Sequence, residues 1–141
     1  MIEAGGLIDA ADASGLIAGS AAWPESDEAA LRAWCGAFLE WMRTSKLGRA
    51  VSAGDNNQAT MSDMRAVRFA FKADRDEVAR DILSAVGAKR IAVQIAPDGS
   101  QPHELTRTKS FSYSRLNLAG LVTLAMGFLG PEQPLVEALK L

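Results

Sequence analysis

Turn-forming residues divide this sequence into segments of helical length, and almost no segment alternates apolar and polar residues with the period of two that strands show. Apolar residues instead recur at spacings of three and four, as at Leu31, Trp34, Phe38 and Trp41. This spacing places side chains on one face of an α-helix. We therefore expect an all-α domain that covers residues 1–141.

Start and stop signals predict where the helices lie. The expected helices cover approximately residues 2–16, 26–43, 60–73, 74–95 and 116–128, with a last short one over 135–141. Ser26 is the expected N-cap of the second helix, and Asp74 with Glu77 forms a D-x-x-E variant of the capping box that opens the fourth. Pro97-Asp98-Gly99 predicts a turn, and Gly130-Pro131 closes the 116–128 helix. Short loops between paired helices favour an antiparallel array.

Composition excludes several classes of protein. Apolar residues make up 48% of the chain, enough for an ordinary core. The formal net charge is −2, so the broad basic field typical of nucleic-acid-binding proteins is missing, and no nucleic acid is expected as a partner. One cysteine, Cys35, and one histidine, His103, cannot supply a disulfide or the four ligands of a structural zinc site. We expect no metal and no cofactor.

Neither an export signal nor a membrane anchor is expected from the chain as given. Its first residues lack a basic region followed by an apolar one. The longest uncharged stretch, between Arg115 and Glu132, contains polar residues and glycines and falls short of the roughly 20 apolar residues that span a bilayer. This stretch therefore predicts a buried helix, and no membrane partner.

Two polar clusters interrupt the apolar background. The first, Asp55-Asn56-Asn57-Gln58, precedes a predicted helix, where amides and free backbone N–H groups suit a carboxylate. A turn with an N-cap explains the same residues and is the interpretation that they favour alone.

The second cluster is Arg107 to Arg115, in which Lys109 and Tyr113 are four residues apart and share a face if a helix begins by Ser110. Cations near a phenol stabilise its ionised form. A partly buried tyrosine with solvated cations remains the alternative. His103, in the loop expected before this cluster, is predicted to be an ordinary solvated side chain.

Together these residues resemble the helical alginate lyase family of polysaccharide lyases. The most specific segment is residues 98–118, which read D-G-S-Q-P-x-E-L-x-R-T-x-S-x-S-Y-S-x-x-N-L. Further matching segments are Leu7 to Asp12, Trp34 to Trp41, Asn56-Asn57 and Ala88 to Ile91. The resemblance implies antiparallel helix pairs arranged as part of an (α/α) toroid, an acidic polysaccharide as partner, and a periplasmic location.

The resemblance also implies a reaction and roles for residues. A uronate polymer is cleaved by β-elimination: the sugar carboxylate is neutralised, the C5 proton is removed, and the oxygen on C4 leaves with a proton. By position, Asn57 matches the carboxylate-binding asparagine, and Tyr113 matches the tyrosine that donates a proton and, for some linkages, also removes one. Arg107 or Lys109 matches the basic residue, and Asn56 supports the turn.

Position 58 departs from the family, because Gln58 stands where relatives have histidine. An amide cannot act as a base, although Gln58 can still help neutralise the carboxylate. Loss of one acid-base group costs about 10²- to 10⁴-fold in rate, so elimination that depends on Tyr113 alone is expected to be impaired.

Length is the second departure, because family members are several hundred residues long and this chain corresponds to a central part of one. Helices that are apolar on several faces are then expected to self-associate. The sequence leaves open whether the chain is an enzyme. The alternative is a non-catalytic helical remnant that binds uronate polymer or packs as a structural partner.

Overall fold

A computed structural model describes residues 5–129, and this part of the chain contains eight α-helices and no strand. The helices are α1 (Gly5–Ile17), α2 (Glu25–Thr44), α3 (Lys46–Ser52), α4 (Asn57–Lys72), α5 (Asp76–Val86), α6 (Ala92–Gln94), α7 (Pro102–Leu105) and α8 (Ser110–Leu129). A π-helical turn, Gly87–Ile91, joins α5 to α6. The all-α prediction is confirmed. Over these residues, no helix has the length and apolar character needed to cross a membrane.

Helix α4 organises the core, because it packs against α1, α2, α3, α5 and α8. Its fully buried side chains include Ala59, Phe69 and Ala70. Burying an aromatic side chain such as Phe69 contributes about 1.5–3 kcal/mol. The core that surrounds it contains Ile8, Ala11, Cys35, Leu39, Met42, Ala66, Val67, Val78, Ala79, Leu83, Val86, Leu121 and Leu124.

Gly120 allows α8 to lie close to the first turn of α4. A Cβ atom at this position would lie 3.0 Å from Thr60 Cγ2 and 3.1 Å from Met61 Sδ, which is closer than ordinary van der Waals contact. The N-terminal half of α8 is thereby held beside the N-terminus of α4. Helix α7, which also packs on α8, completes this corner of the molecule.

Two predicted helix starts are wrong. Pro24, not Ser26, is the N-cap of α2: its backbone is extended (φ −68°, ψ 156°), and its carbonyl accepts the first backbone hydrogen bonds of the helix. Asp74 does not cap α5, whose N-cap is Arg75. The backbone of Asp74 is left-handed, with φ of 54°, and its carboxylate accepts a hydrogen bond from Arg32 on α2. A tertiary contact therefore replaces the local capping box.

Two further helices begin earlier than predicted. Helix α4 begins at Asn57, three residues earlier than expected, and α8 begins at Ser110, six residues before the predicted apolar segment. The predicted continuation of α5 is confirmed as far as Gln94, through the π-helical turn. The turn at Pro97-Asp98-Gly99 is also confirmed, with a positive φ of 82° at Gly99. Residues 2–4, Gly130-Pro131 and the predicted helix over 135–141 lie outside the described residues.

A largely buried ion pair and its hydrogen bonds connect α1, α2 and α4. Lys72 on α4 donates hydrogen bonds to Glu28 on α2 and to Ser14 on α1, both over 2.6 Å. The indole of Trp23 donates to the second oxygen of Glu28 over 2.8 Å. The hydrogen bond from Lys72, followed by that from Trp23, lowers the pKa of Glu28 below its ordinary value.

This shift predicts how stability depends on pH. A carboxyl group with a lowered pKa in the folded protein stabilises it above the unfolded pKa of about 4.3, and this contribution is lost as pH falls through the folded value. Replacing Glu28 by Gln should therefore lower the melting temperature at neutral pH, and the difference from the parent should shrink below about pH 4. Thermal unfolding followed by circular dichroism between pH 3 and 7 measures this difference in melting temperature. Glu25→Gln, an exposed change in the same first turn, is the control; a Glu28→Gln difference independent of pH would contradict the assignment.

Candidate active site

The first polar cluster forms the N-terminus of α4. The side-chain oxygen of Asn56 accepts a hydrogen bond from the backbone N–H of Gln58 over 3.0 Å, so Asn56 is the N-cap. Asn57 and Gln58 are the first two residues of the helix. The predicted turn and N-cap are thus present. Asn57 is buried, whereas Gln58 is half-buried.

Arg90 holds the loop before this helix in place. It is only 4% exposed, and its guanidinium donates to the carbonyls of Gly54 (2.9 Å) and Ser52 (2.7 Å) and to the carboxylate of Asp63 (2.7 Å). Arg90 lies on the π-helical turn, so this turn aims the side chain at the loop. The backbone leading to Asn57 is therefore fixed from the protein interior.

Glu104 on α7 joins the N-terminus of α4 to the second polar cluster. One carboxylate oxygen accepts from the backbone N–H of Asn57, and the other accepts from the Asn57 side-chain amide over 2.7 Å. Arg107 Nη1 lies 3.6 Å from that second oxygen. Glu104 is 1% exposed, so its charge is compensated by a helix N-terminus and a guanidinium instead of by bulk water.

Arg107 in turn contacts Tyr113. The guanidinium carbon lies 3.9 Å from the centre of the tyrosine ring, which is the geometry of a cation–π contact. Tyr113 is half-buried in the first turn of α8. We call Asn57, Glu104, Arg107 and Tyr113 the Glu104 cluster, because contacts connect them in this order. The cluster brings an amide, a guanidinium and a phenol from distant segments to one place.

Buried amides fix α7 against α8. Asn117, which is fully buried, donates to the side-chain oxygen of Gln101 over 2.9 Å, and the Gln101 amide donates to the Ser114 carbonyl over 3.2 Å. Gln101 is the N-cap residue of α7, so these bonds fix the start of the helix that carries Glu104.

Gln58 and Lys109 are the remaining predicted site residues, and His103 was predicted to be an ordinary solvated side chain. Lys109 is exposed and comes just before α8; its carbonyl accepts from the backbone N–H of Tyr113 over 3.0 Å. Within residues 5–129, the side chains of Gln58 and Lys109 make no hydrogen bond or ion pair. His103 is in α7, not in a loop, and its Nδ1 lies 3.4 Å from a carboxylate oxygen of Asp55.

Glu104 was not among the predicted site residues. A signal for it was present, because Glu104 is the only acidic residue between Asp98 and Glu132, a stretch that contains Arg107, Lys109 and Arg115. A lone carboxylate among several cations indicates an ion pair. Its second contact, with Asn57, is 47 residues away along the chain and has no local signature.

Comparison with known proteins gives two findings and one negative result. The sequence model of the alginate lyase family matches residues 2–135. A crystal structure of an alginate lyase from Bacteroides ovatus superposes with a TM-score of 0.83 and 25% sequence identity. The match covers 95% of this chain but 38% of that chain, so this chain spans well under half the length of the Bacteroides protein. A search of curated proteins found no match.

The Glu104 contacts predict a large loss of stability in Glu104→Gln. In either orientation, the new amide would point a donor at the backbone or side-chain N–H of Asn57 and would leave Arg107 without its carboxylate. Breaking a buried pair in this way costs about 3–5 kcal/mol. Chemical denaturation measures this loss as a difference in the free energy of unfolding. Glu40→Gln removes an exposed partner 3.9 Å from Arg43 and should change stability by less than about 1 kcal/mol; equal effects of the two variants would contradict the buried pair.

Proposed function

This chain belongs to the alginate lyase family, and from that premise we propose that it cleaves alginate or a related polyuronate by β-elimination. The observation that carries the proposal is the line of contacts from Asn57 through Glu104 and Arg107 to Tyr113. It connects the two segments to which the family resemblance assigns the cleavage chemistry. The proposal concerns this chain alone, which matches part of the longer Bacteroides protein.

Each residue of the cluster has a role in this reaction. Arg107 and the amide of Asn57 bind the uronate carboxylate and stabilise negative charge as it develops next to C5. One of the two amide hydrogens of Asn57 bonds to Glu104, which leaves the other for the sugar carboxylate in this proposal. Glu104 positions Asn57 and Arg107, since both of its oxygens are already occupied by Asn57.

Tyr113 supplies proton transfer. As the C5–H bond breaks, its electrons form the C4–C5 double bond, and the C4–O bond breaks. The phenol donates a proton to the departing oxygen and, where the C5 proton lies on the same face of the sugar, its ionised form also takes that proton. Arg107, 3.9 Å from the ring, keeps positive charge beside the group that changes protonation.

The reaction can be followed by the ultraviolet absorbance of the new double bond. Tyr113→Phe should reduce turnover of alginate by about 10²- to 10⁴-fold and leave polymer binding nearly unchanged, because only the hydroxyl is removed. Gln58→His should increase turnover, since it restores a base at the position where relatives have one.

Two results would contradict the proposal. Undiminished turnover in Tyr113→Phe would remove Tyr113 from the mechanism. If no double bond forms with the parent or with Gln58→His, while both bind the polymer, the chain is a non-catalytic uronate-binding remnant. Thermal unfolding of each variant checks that the fold is intact.

We also propose that these helices form one part of an (α/α) toroid and that the protein acts in the periplasm. Support for the toroid comes from the similarity to a longer alginate lyase, of which this chain covers 38%. The periplasmic location rests on the family resemblance.

Self-association is a further proposal, supported by one face of α2. Trp34 and Trp41, on the apolar face of α2, are 42% and 40% exposed. Their rings stack on either side of Phe38, with centroids 5.2 Å and 5.5 Å apart. Phe38 covers one face of each indole, so less of each ring is free to stack on a sugar, and the exposed apolar remainder suits packing against a protein surface.

Light scattering after size exclusion tests self-association. The double variant Trp34→Gln/Trp41→Gln should shift the protein towards monomer, because it removes most of the exposed apolar area of this face. Leu16→Gln changes an 88% exposed residue of α1 and is the matched control, expected to leave the mass unchanged. A parent protein that is already monomeric at high concentration would contradict the proposal.

A further inference from the structure

The only histidine of the chain lies beside the Glu104 cluster. His103 directly precedes Glu104 in α7, and Asp55 is two residues before Asn57. His103 Nδ1 is 3.4 Å from Asp55 Oδ2, although the two residues are 48 positions apart. The histidine side chain is 39% exposed, so it remains accessible to a ligand. The pair therefore links the loop before α4 to α7 along the edge of the proposed site.

This pairing has the arrangement of an oriented base. A carboxylate next to Nδ1 favours the tautomer with hydrogen on Nδ1, which leaves the lone pair of Nε2 free to accept a proton. Imidazole is the side chain whose protonation ordinarily changes between about pH 5 and 8.

The other polar groups of this region are less suited to the same task. Glu104 is buried, with its oxygens hydrogen-bonded to Asn57 and facing Arg107. Gln58, where relatives have histidine, cannot take a proton. Among the described residues, the charged groups next to His103 are Asp55 from the loop and Glu104, its neighbour in sequence. Of these, Asp55 is the one in contact.

We propose that His103, oriented by Asp55, is the general base of this site. This inference rests on the proposed function and divides the proton transfers between two residues. Nε2 of His103 takes the C5 proton, the C5–H electrons form the C4–C5 double bond, and the C4–O bond breaks. Tyr113 protonates the departing oxygen. The histidine thus supplies from α7 the base that position 58 lacks.

Kinetics of the full chain on alginate test this assignment. His103→Gln should lower kcat by about 10²- to 10⁴-fold with a smaller change in KM, and the acidic limb of the pH profile of kcat/KM should disappear. Asp55→Asn should cause a smaller loss of kcat, because the imidazole keeps its basic nitrogen but loses the carboxylate beside Nδ1. Adding Gln58→His to His103→Gln should restore turnover and the limb, which a merely structural role of His103 would not allow.

A binding measurement adds a readout that does not need turnover. The chain has one histidine, so its imidazole gives one Cε1–H signal in proton NMR. A mannuronate oligosaccharide added to the Tyr113→Phe variant should shift this signal, since the imidazole would then lie next to the sugar. An unshifted signal at saturating oligosaccharide would overturn the inference.

The outcomes separate this inference from the proposed function. If His103→Gln keeps the rate and pH profile of the parent, the base assignment to His103 is wrong and the lyase function stands. If only Gln58→His cleaves alginate, the parent chain lacks a base, and both proposals fail for it. If neither the parent nor any variant forms the double bond, both proposals fail.

Discussion

The buried carboxylate of Glu104 is the interaction on which this corner of the molecule depends. A helix N-terminus, an amide and a guanidinium all present positive charge or dipole, and without an anion between them they would repel one another. Glu104 places α7 against α4 and holds Arg107 where it can also cover Tyr113. The Glu104 carboxylate can be buried because each of its oxygens accepts a hydrogen bond from Asn57.

Local patterns predicted those features that local physics determines. Asn56 caps α4 and Gly99 adopts a positive φ because these residue types suit such conformations wherever they occur. The prediction of a cap at Asp74 failed for the opposite reason, since its carboxylate bonds to Arg32, 42 residues away. Periodicity likewise identified α2 as a helix but not which of its aromatic residues stay exposed.

The same distinction applies to the candidate site. The family resemblance named Asn57, Arg107 and Tyr113, but the groups that hold them, Glu104 and Arg90, act across 47 and more than 30 residues of chain. From sequence alone, a charged side chain is expected at the surface, because the partner that would allow its burial is not known. Arg90 illustrates this, since a cation in a basic stretch is in fact 4% exposed and bonded to three groups of the fold.

The described contacts of the Glu104 cluster lie between neighbouring helices of this chain. Its members come from the N-terminus of α4, from α7 and the turn after it, and from the first turn of α8. Helix α4 is packed on five helices of this chain, and Gly120 sets the distance between α4 and α8. The contacts that join the Glu104 cluster are thus made between residues of this chain. In the proposed reaction, these same contacts determine how the amide, the guanidinium and the phenol are placed relative to one another.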